Sequence, residues 1–189
     1  MSTSRVHFTM AIFAMITVTI ASNYLVEIPL GNWLTWGAFT YPFSFLVSEL
    51  MNRFYGPQKA RQVVYIGFGV AVFLAFSWMN RRTALASSLA FLIGQLLDIS
   101  VFNRFRSGKW WLAPGVASTS ASAIDTAIFF FVAFAGTTES WLRLAAGDLS
   151  VKLCMDLGLL LPFRLFLWRD QALNRIPLKR GKYVDKKSP

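Results

Sequence analysis

Residues 121–136 read ASAIDTAIFFFVAFAG, and this stretch decides the fold. It is apolar enough to lie in lipid, yet it carries Asp125 near its start. A carboxylate at the centre of a bilayer helix costs about 2.5–3.5 kcal/mol on insertion scales. Such a group persists where it serves function or meets a buried partner. Ser118, Ser122 and Asp125 follow at i, i+4 and i+7, so a continuous helix lines them up as one polar stripe. Phe129 extends the stripe, while Phe130, Phe131 and Phe134 cover much of the remaining surface. The pattern predicts a helix with its back to lipid and its polar face to a protein interior.

The composition agrees with that reading. Of 189 residues, 55% are hydrophobic and 15% charged, and there are 18 Phe and 7 Trp. A mean hydropathy of +0.48 is that of a membrane protein, not of a soluble core. Trp33, Trp36, Trp78, Trp110, Trp111, Trp141 and Trp168 fall at or near the ends of apolar runs, the aromatic-belt pattern of bilayer interfaces. A lone Cys154 excludes an intrachain disulfide and a cysteine-cluster metal site, and a lone His7 excludes a histidine cluster.

Six apolar runs follow from residue 6 onward. Val6–Val26 is too long for a secretory signal core and reads as a span. Pro29 and Gly31 then mark a turn. The second run, 35–52, is expected to break or kink at Pro42. RFYGPQKAR reads as a polar loop before the third run, 62–79, and the fourth covers 84–102. The fifth is 119–135, with Pro114 and Gly115 at its entry. The sixth, 141–168, exceeds the roughly 20 residues a bilayer needs, so its start is interfacial or tilted. These runs make residues 1–168 an all-α, six-span membrane domain, followed by a basic tail over 169–189.

An even number of spans puts both termini on one side. That side collects Arg5, Arg53, Lys59, Arg61, Arg104, Arg106, Lys109, Arg164 and the tail, against Arg81, Arg82 and Arg143 opposite. The positive-inside rule assigns the termini to the cytoplasm. The net charge of +10 is therefore mainly a topology signal, with a role in holding anionic lipid. It is not a nucleic-acid footprint, because no basic patch lies on a soluble surface.

Polar residues inside the runs are the candidate site. Ser48 and Asn52 are i, i+4 neighbours with Glu49 beside them; an ordinary reading leaves Glu49 wet at a helix end. Gln95 and Asp98 are spaced i, i+3, with Asn103 and Arg104 following, and Gly94 permits close helix approach. Asp148, Lys152 and Asp156 at i, i+4 spacing make either a local ion ladder or a cavity wall. A lysine within a span needs a counter-charge, for which Asp125 on the preceding antiparallel helix is the candidate. Asn23 reads as a C-cap, Tyr41 and its Phe neighbours as packing, and Cys154 as a small buried hydrophobe. No HExxH, GxSxG, Walker or CxxC motif is present, which argues against an enzyme, and no cofactor is expected.

The blocks SNYLV, TWGAFTYPFSFLVSEL, GQLLDISVFNRFR, KWWLAPGVAST and IDTAIFFFVAF, in this order, resemble the VUT family of queuosine precursor transporters. The resemblance covers about residues 22–166. It implies a bacterial inner-membrane carrier for 7-cyano-7-deazaguanine and its aminomethyl relative. It also implies a six-helix layout similar to the substrate-binding subunits of energy-coupling-factor transporters. The motif positions carried over are Asn23, Gln95, Asp98, Asn103, Arg104, Trp111 and Asp125, with Lys152 in the last helix. Glu49 stands where the family often has Asp, keeping the charge but moving it by a methylene.

Chemistry fits that ligand. A deazaguanine edge offers an N–H and an amine, two donors that suit a carboxylate. Asp125 or Glu49 is expected to read that edge, and Gln95, Asn23 or Lys152 the carbonyl side, with aromatics on the ring faces. The chain itself is read either as a self-sufficient carrier or as a binding subunit needing a separate energising complex. A small lipid-acting membrane enzyme is the weaker alternative. A homo-oligomer is left open.

Overall fold

The computed structural model describes residues 3–26, 28–30, 34–137 and 141–172. Gly31, Trp33, residues 138–140 and the basic tail beyond Ala172 lie outside them. Seven helices and one short hairpin follow in order: α1 (Thr3–Leu25), β1 (Pro29–Leu30), β2 (Leu34–Thr35), α2 (Gly37–Thr40), α3 (Pro42–Tyr55), α4 (Pro57–Trp78), α5 (Arg81–Phe105), α6 (Leu112–Phe134) and α7 (Trp141–Ala172). The strands pair antiparallel, Pro29 with Thr35 and Leu30 with Leu34, on either side of the turn expected at Gly31.

Four helices, α1, α4, α5 and α6, are long and apolar enough to cross a bilayer. The expected second span is divided: α2 and α3 meet at Tyr41, whose φ of −57° and ψ of −41° are still helical, with Pro42 opening α3. Its 14 residues fall short of the roughly 20 a crossing needs without α2. The 32-residue α7 has ample length, but it carries Asp148, Lys152 and Asp156.

Three expected boundaries are corrected. RFYGPQKAR is not a loop: only Gly56 interrupts the helices, at φ +88°, and Pro57 already starts α4. Proline suits the first turn, where its missing N–H has no intrahelical acceptor anyway. Pro114 and Gly115 likewise lie inside the first turn of α6 rather than ahead of it. On α5, the Asn80 side chain accepts from the Thr83 amide at 2.9 Å and starts the helix at Arg81.

The packing centres on α5, which lies against α3, α4 and α6. One apolar cluster joins α1, α3, α4 and α5 through Met15, Met51, Val63, Val64, Phe91 and Ile99. Another joins α3, α5, α6 and α7 through Leu46, Phe102, Ala117, Leu159 and Phe163. Without a hydrophobic force between helices in lipid, close backbone approach matters most. Gly94 supplies it: a Cβ there would stand 3.2 Å from the Asp125 Cβ. At the far end, Arg82 donates to the carbonyls of Val132 and Ala135, closing the C-terminus of α6.

Large apolar side chains point outward, including Phe13, Phe73 and Leu161 at 72% exposure, as a lipid-facing surface requires. Phe131 belongs to that surface, but Phe130 does not; it is buried and stacks with Phe134. Cys154 is exposed, contrary to expectation.

Candidate substrate site

The polar stripe of α6 does face inward: Ser118, Ser122 and Asp125 are all buried. Asp125 holds the centre of the site. Lys152 from α7 donates to its Oδ2 at 2.8 Å, the cross-helix partner that the sequence required. Lys152 also pairs with Asp148 at 2.7 Å, one turn back on its own helix, and donates to Thr126 at 3.2 Å. Thr126 in turn donates to Asp148 at 2.9 Å. The ion ladder on α7 is therefore only half formed, because Asp156 takes its bond from Ser122 at 2.7 Å instead.

Tyr41 completes the group. Its hydroxyl donates to Asp125 Oδ1 at 2.8 Å, and the Lys152 ammonium sits 5.0 Å from its ring centroid. The expectation that Tyr41 only packs is thus corrected. Its place at the α2–α3 junction aims the ring across the bundle, and neither spacing nor residue type reveals that 84-residue reach. Thr126 was likewise unmarked by the sequence, although it adjoins Asp125.

Asp125, Lys152, Asp148 and Tyr41 wall a cavity of about 50 Å³, together with Asn23, Ser22, Ser87 and Phe129. Asn23 is not a simple cap. It is 7% exposed and donates to the Thr19 carbonyl at 2.9 Å, which leaves its Oδ1 without a donor at the cavity. With two carboxylates and one ammonium, the cavity wall carries one more formal negative charge than positive. It is built to accept hydrogen bonds.

The remaining candidates divide. Gln95 is fully buried and donates to Ser44 at 2.7 Å, and neither residue lines the cavity. Glu49 and Asp98 are buried too, but in a second cluster between α3, α5 and α7, where Ser48 donates to Asp98 at 3.0 Å. Glu49 is therefore not wet, and neither carboxyl lines the first cavity. Asn103 and Arg104 are exposed, as is Trp111, because α5 runs straight through Phe105 and turns Asn103 outward. Asn103 therefore does not line the cavity. Among the described residues no group of His, Cys, Asp or Glu is arranged to hold a metal ion.

Known proteins carry the same sequence pattern. The family described as "Putative vitamin uptake transporter" matches residues 35–80 and 75–167. A "Queuosine precursor transporter" of Escherichia coli is 34% identical over 184 residues, covering 82% of this chain and 83% of that protein. A "Probable queuosine precursor transporter" of Haemophilus influenzae is 32% identical, covering 79% of this chain and 81% of that protein. One from Bacillus subtilis, with the same description, is 27% identical, covering 77% and 76%. No solved structure matches the chain. By the family match and by identity over most of its length, this chain belongs to the vitamin uptake transporter (VUT) family.

Proposed function

We propose that this protein imports a queuosine precursor, 7-cyano-7-deazaguanine or its aminomethyl relative, and that Asp125 at the cavity wall reads the guanine-like edge. The observation that carries the reading is the buried Asp125 between Tyr41 and Lys152, facing a cavity with an unsatisfied Asn23 oxygen. Each carboxylate oxygen has two lone pairs, so Asp125 can keep its present donors and still accept the N–H and amine of the ligand. Asn23 Oδ1 takes a further donor, Lys152 turns to the carbonyl the N–H it now gives Thr126 at 3.2 Å, and Phe129 offers a ring face. A cavity of about 50 Å³ is small against the 300–1,000 Å³ of ordinary ligand sites, so the base enters by parting the helices around it. The break between α2 and α3 at Tyr41–Pro42 is where that movement is cheapest.

The topology proposed is six crossings, with α2 and α3 acting as one and α7 as the last. Both termini are then cytoplasmic, and the membrane is the bacterial inner membrane. Four crossings have the required length and hydropathy, and the basic residues Arg53, Lys59, Arg61, Arg104 and Arg106 gather at one end of the bundle. The test is uptake in cells that can neither make the precursor nor import it. Fed 7-cyano-7-deazaguanine, cells expressing this chain should regain queuosine in tRNA, and those expressing Asp125→Asn should not. No rescue, with the protein shown in the membrane, sinks the substrate assignment.

A further inference from the structure

The ligand cavity leaves a second set of buried acids unused. Glu49 on α3, Asp98 on α5 and Asp156 on α7 are 4%, 0% and 3% exposed. Glu49 and Asp98 stand within hydrogen-bonding reach of each other, and Asp156 lies within electrostatic range of both. Among the described residues no Lys or Arg forms an ion pair with any of the three; both ion pairs belong to Lys152.

Hydrogen, not oxygen, is scarce here. Ser48 gives one bond to Asp98 and Ser122 gives one to Asp156. Glu49 Oε1, Asp98 Oδ1 and Asp156 Oδ1 receive none. The neutral amides flanking them on the α3–α5 seam show the same deficit: Gln95 and Asn52 are both 0% exposed, and each has a side-chain oxygen with no donor. A crevice too narrow for a water molecule lies between Glu49 and Asp156, walled in part by Ser118. Buried acceptors without donors are costly, and adjacent carboxyls in a low dielectric cannot all be charged. A proton supplies what is missing. Among the described residues no group of three or more His, Cys, Asp or Glu side chains is arranged to hold a metal ion instead.

The surroundings do not supply the charge. On α7, Lys152 is one turn from Asp156 and within its electrostatic range, but it is already held by Asp125 and Asp148. The next basic group along α3, Arg53, donates to the Arg106 carbonyl. On α4, the buried residues are all apolar, Val63 and Val64 among them, and His7 of α1 bonds Tyr55 at the end of α3. From α6 come Ser118, Ser122 and Asp125, the last already in the ligand site.

We propose that Glu49, Asp98 and Asp156 form a proton-binding site, separate from the ligand cavity, through which this carrier couples uptake to proton entry. The proton passes from water onto a carboxylate oxygen of the Glu49–Asp98 pair and is released to water on the other side. Two helices link the sites: α7 carries both Asp156 and Lys152, and α3 carries Glu49 just beyond the Tyr41 junction. The coupling half of this proposal rests on the transport reading above; the proton site itself does not.

Two measurements on the full chain in phosphatidylethanolamine–phosphatidylglycerol liposomes separate them. Infrared spectroscopy, without substrate, should show the C=O band of a protonated carboxyl at neutral pH, lost in Glu49→Gln. Asp98→Asn is the second variant if the first does not fold. Then 7-cyano-7-deazaguanine uptake is followed with the outside more acidic by about one pH unit, which at one proton per substrate supports roughly tenfold accumulation. Glu49→Gln should still exchange substrate across the membrane but accumulate none. The proposal is overturned by absence of the band in the unaltered protein, by full accumulation in Glu49→Gln, or by a sodium gradient replacing the proton gradient. If the unaltered protein exchanges no deazapurine, the substrate reading fails, and the infrared result alone still decides the proton site.

Discussion

Replacing Lys152 by Met keeps the side chain's length and removes its charge. Lys152 makes contacts of 2.8 Å with Asp125 and 2.7 Å with Asp148. At an effective dielectric of about 20, each is worth roughly 6 kcal/mol before desolvation. Removing a buried ammonium from water cancels much of that, and breaking such a pair costs about 3–5 kcal/mol in practice. Lys152→Met leaves two carboxylates buried side by side, with Thr126 and Tyr41 as their remaining donors. We therefore expect a loss of about 3–5 kcal/mol in unfolding free energy, together with loss of precursor binding. Asp125→Asn combined with Lys152→Met removes one of the stranded charges. The pair should show a favourable coupling of about 1–3 kcal/mol in a double-mutant cycle. The assay is denaturant unfolding of the purified protein in detergent, followed by tryptophan fluorescence. If Lys152→Met is as stable as the parent, and the double variant is merely the sum of the two singles, the charge reasoning is wrong.

Tyr41→Phe removes a hydroxyl bonded to a charged acceptor at 2.8 Å, and should cost about 1.5–3 kcal/mol of stability with weaker precursor binding by calorimetry. Gly67→Ala puts a Cβ 2.5 Å from Cγ of the fully buried Met15; the crowding between α1 and α4 should cost about 1–3 kcal/mol in the same unfolding assay. Asn103→Ala should leave queuosine rescue unchanged, since the residue is exposed at the end of α5; lost uptake with normal expression would return Asn103 to the site. Cys154→Ala, on an exposed face of α7, should stay within about 0.5 kcal/mol of the parent.

The sequence was most informative where burial energetics force a pairing. A lysine in an apolar run demands an anion, and that alone pointed to Asp125 across 27 residues. Gly94 was legible for a similar reason, since close helix approach leaves few residue choices. The helix boundaries at Pro57 and Pro114 were misread because proline both ends helices and begins them, and the surrounding sequence does not say which. Periodicity put Asp125 on an inward stripe but left Glu49 open to a wet helix end, where the structure buries it. It could not show which neighbouring helix each face meets, so the division of the buried polar residues into two clusters was not legible. Tyr41 escaped notice because a tyrosine at a helix break looks like packing until its distant acceptor is known.

The small volume at Asp125 has a kinetic consequence. If the bundle must open before the base can enter, opening is a separate step whose rate does not depend on ligand concentration. The observed association rate should then level off as precursor is raised, instead of climbing linearly. The apparent dissociation constant is the intrinsic one divided by the fraction of molecules open at any instant. Substitutions that loosen the α2–α3 junction would then tighten apparent binding without touching a single ligand contact.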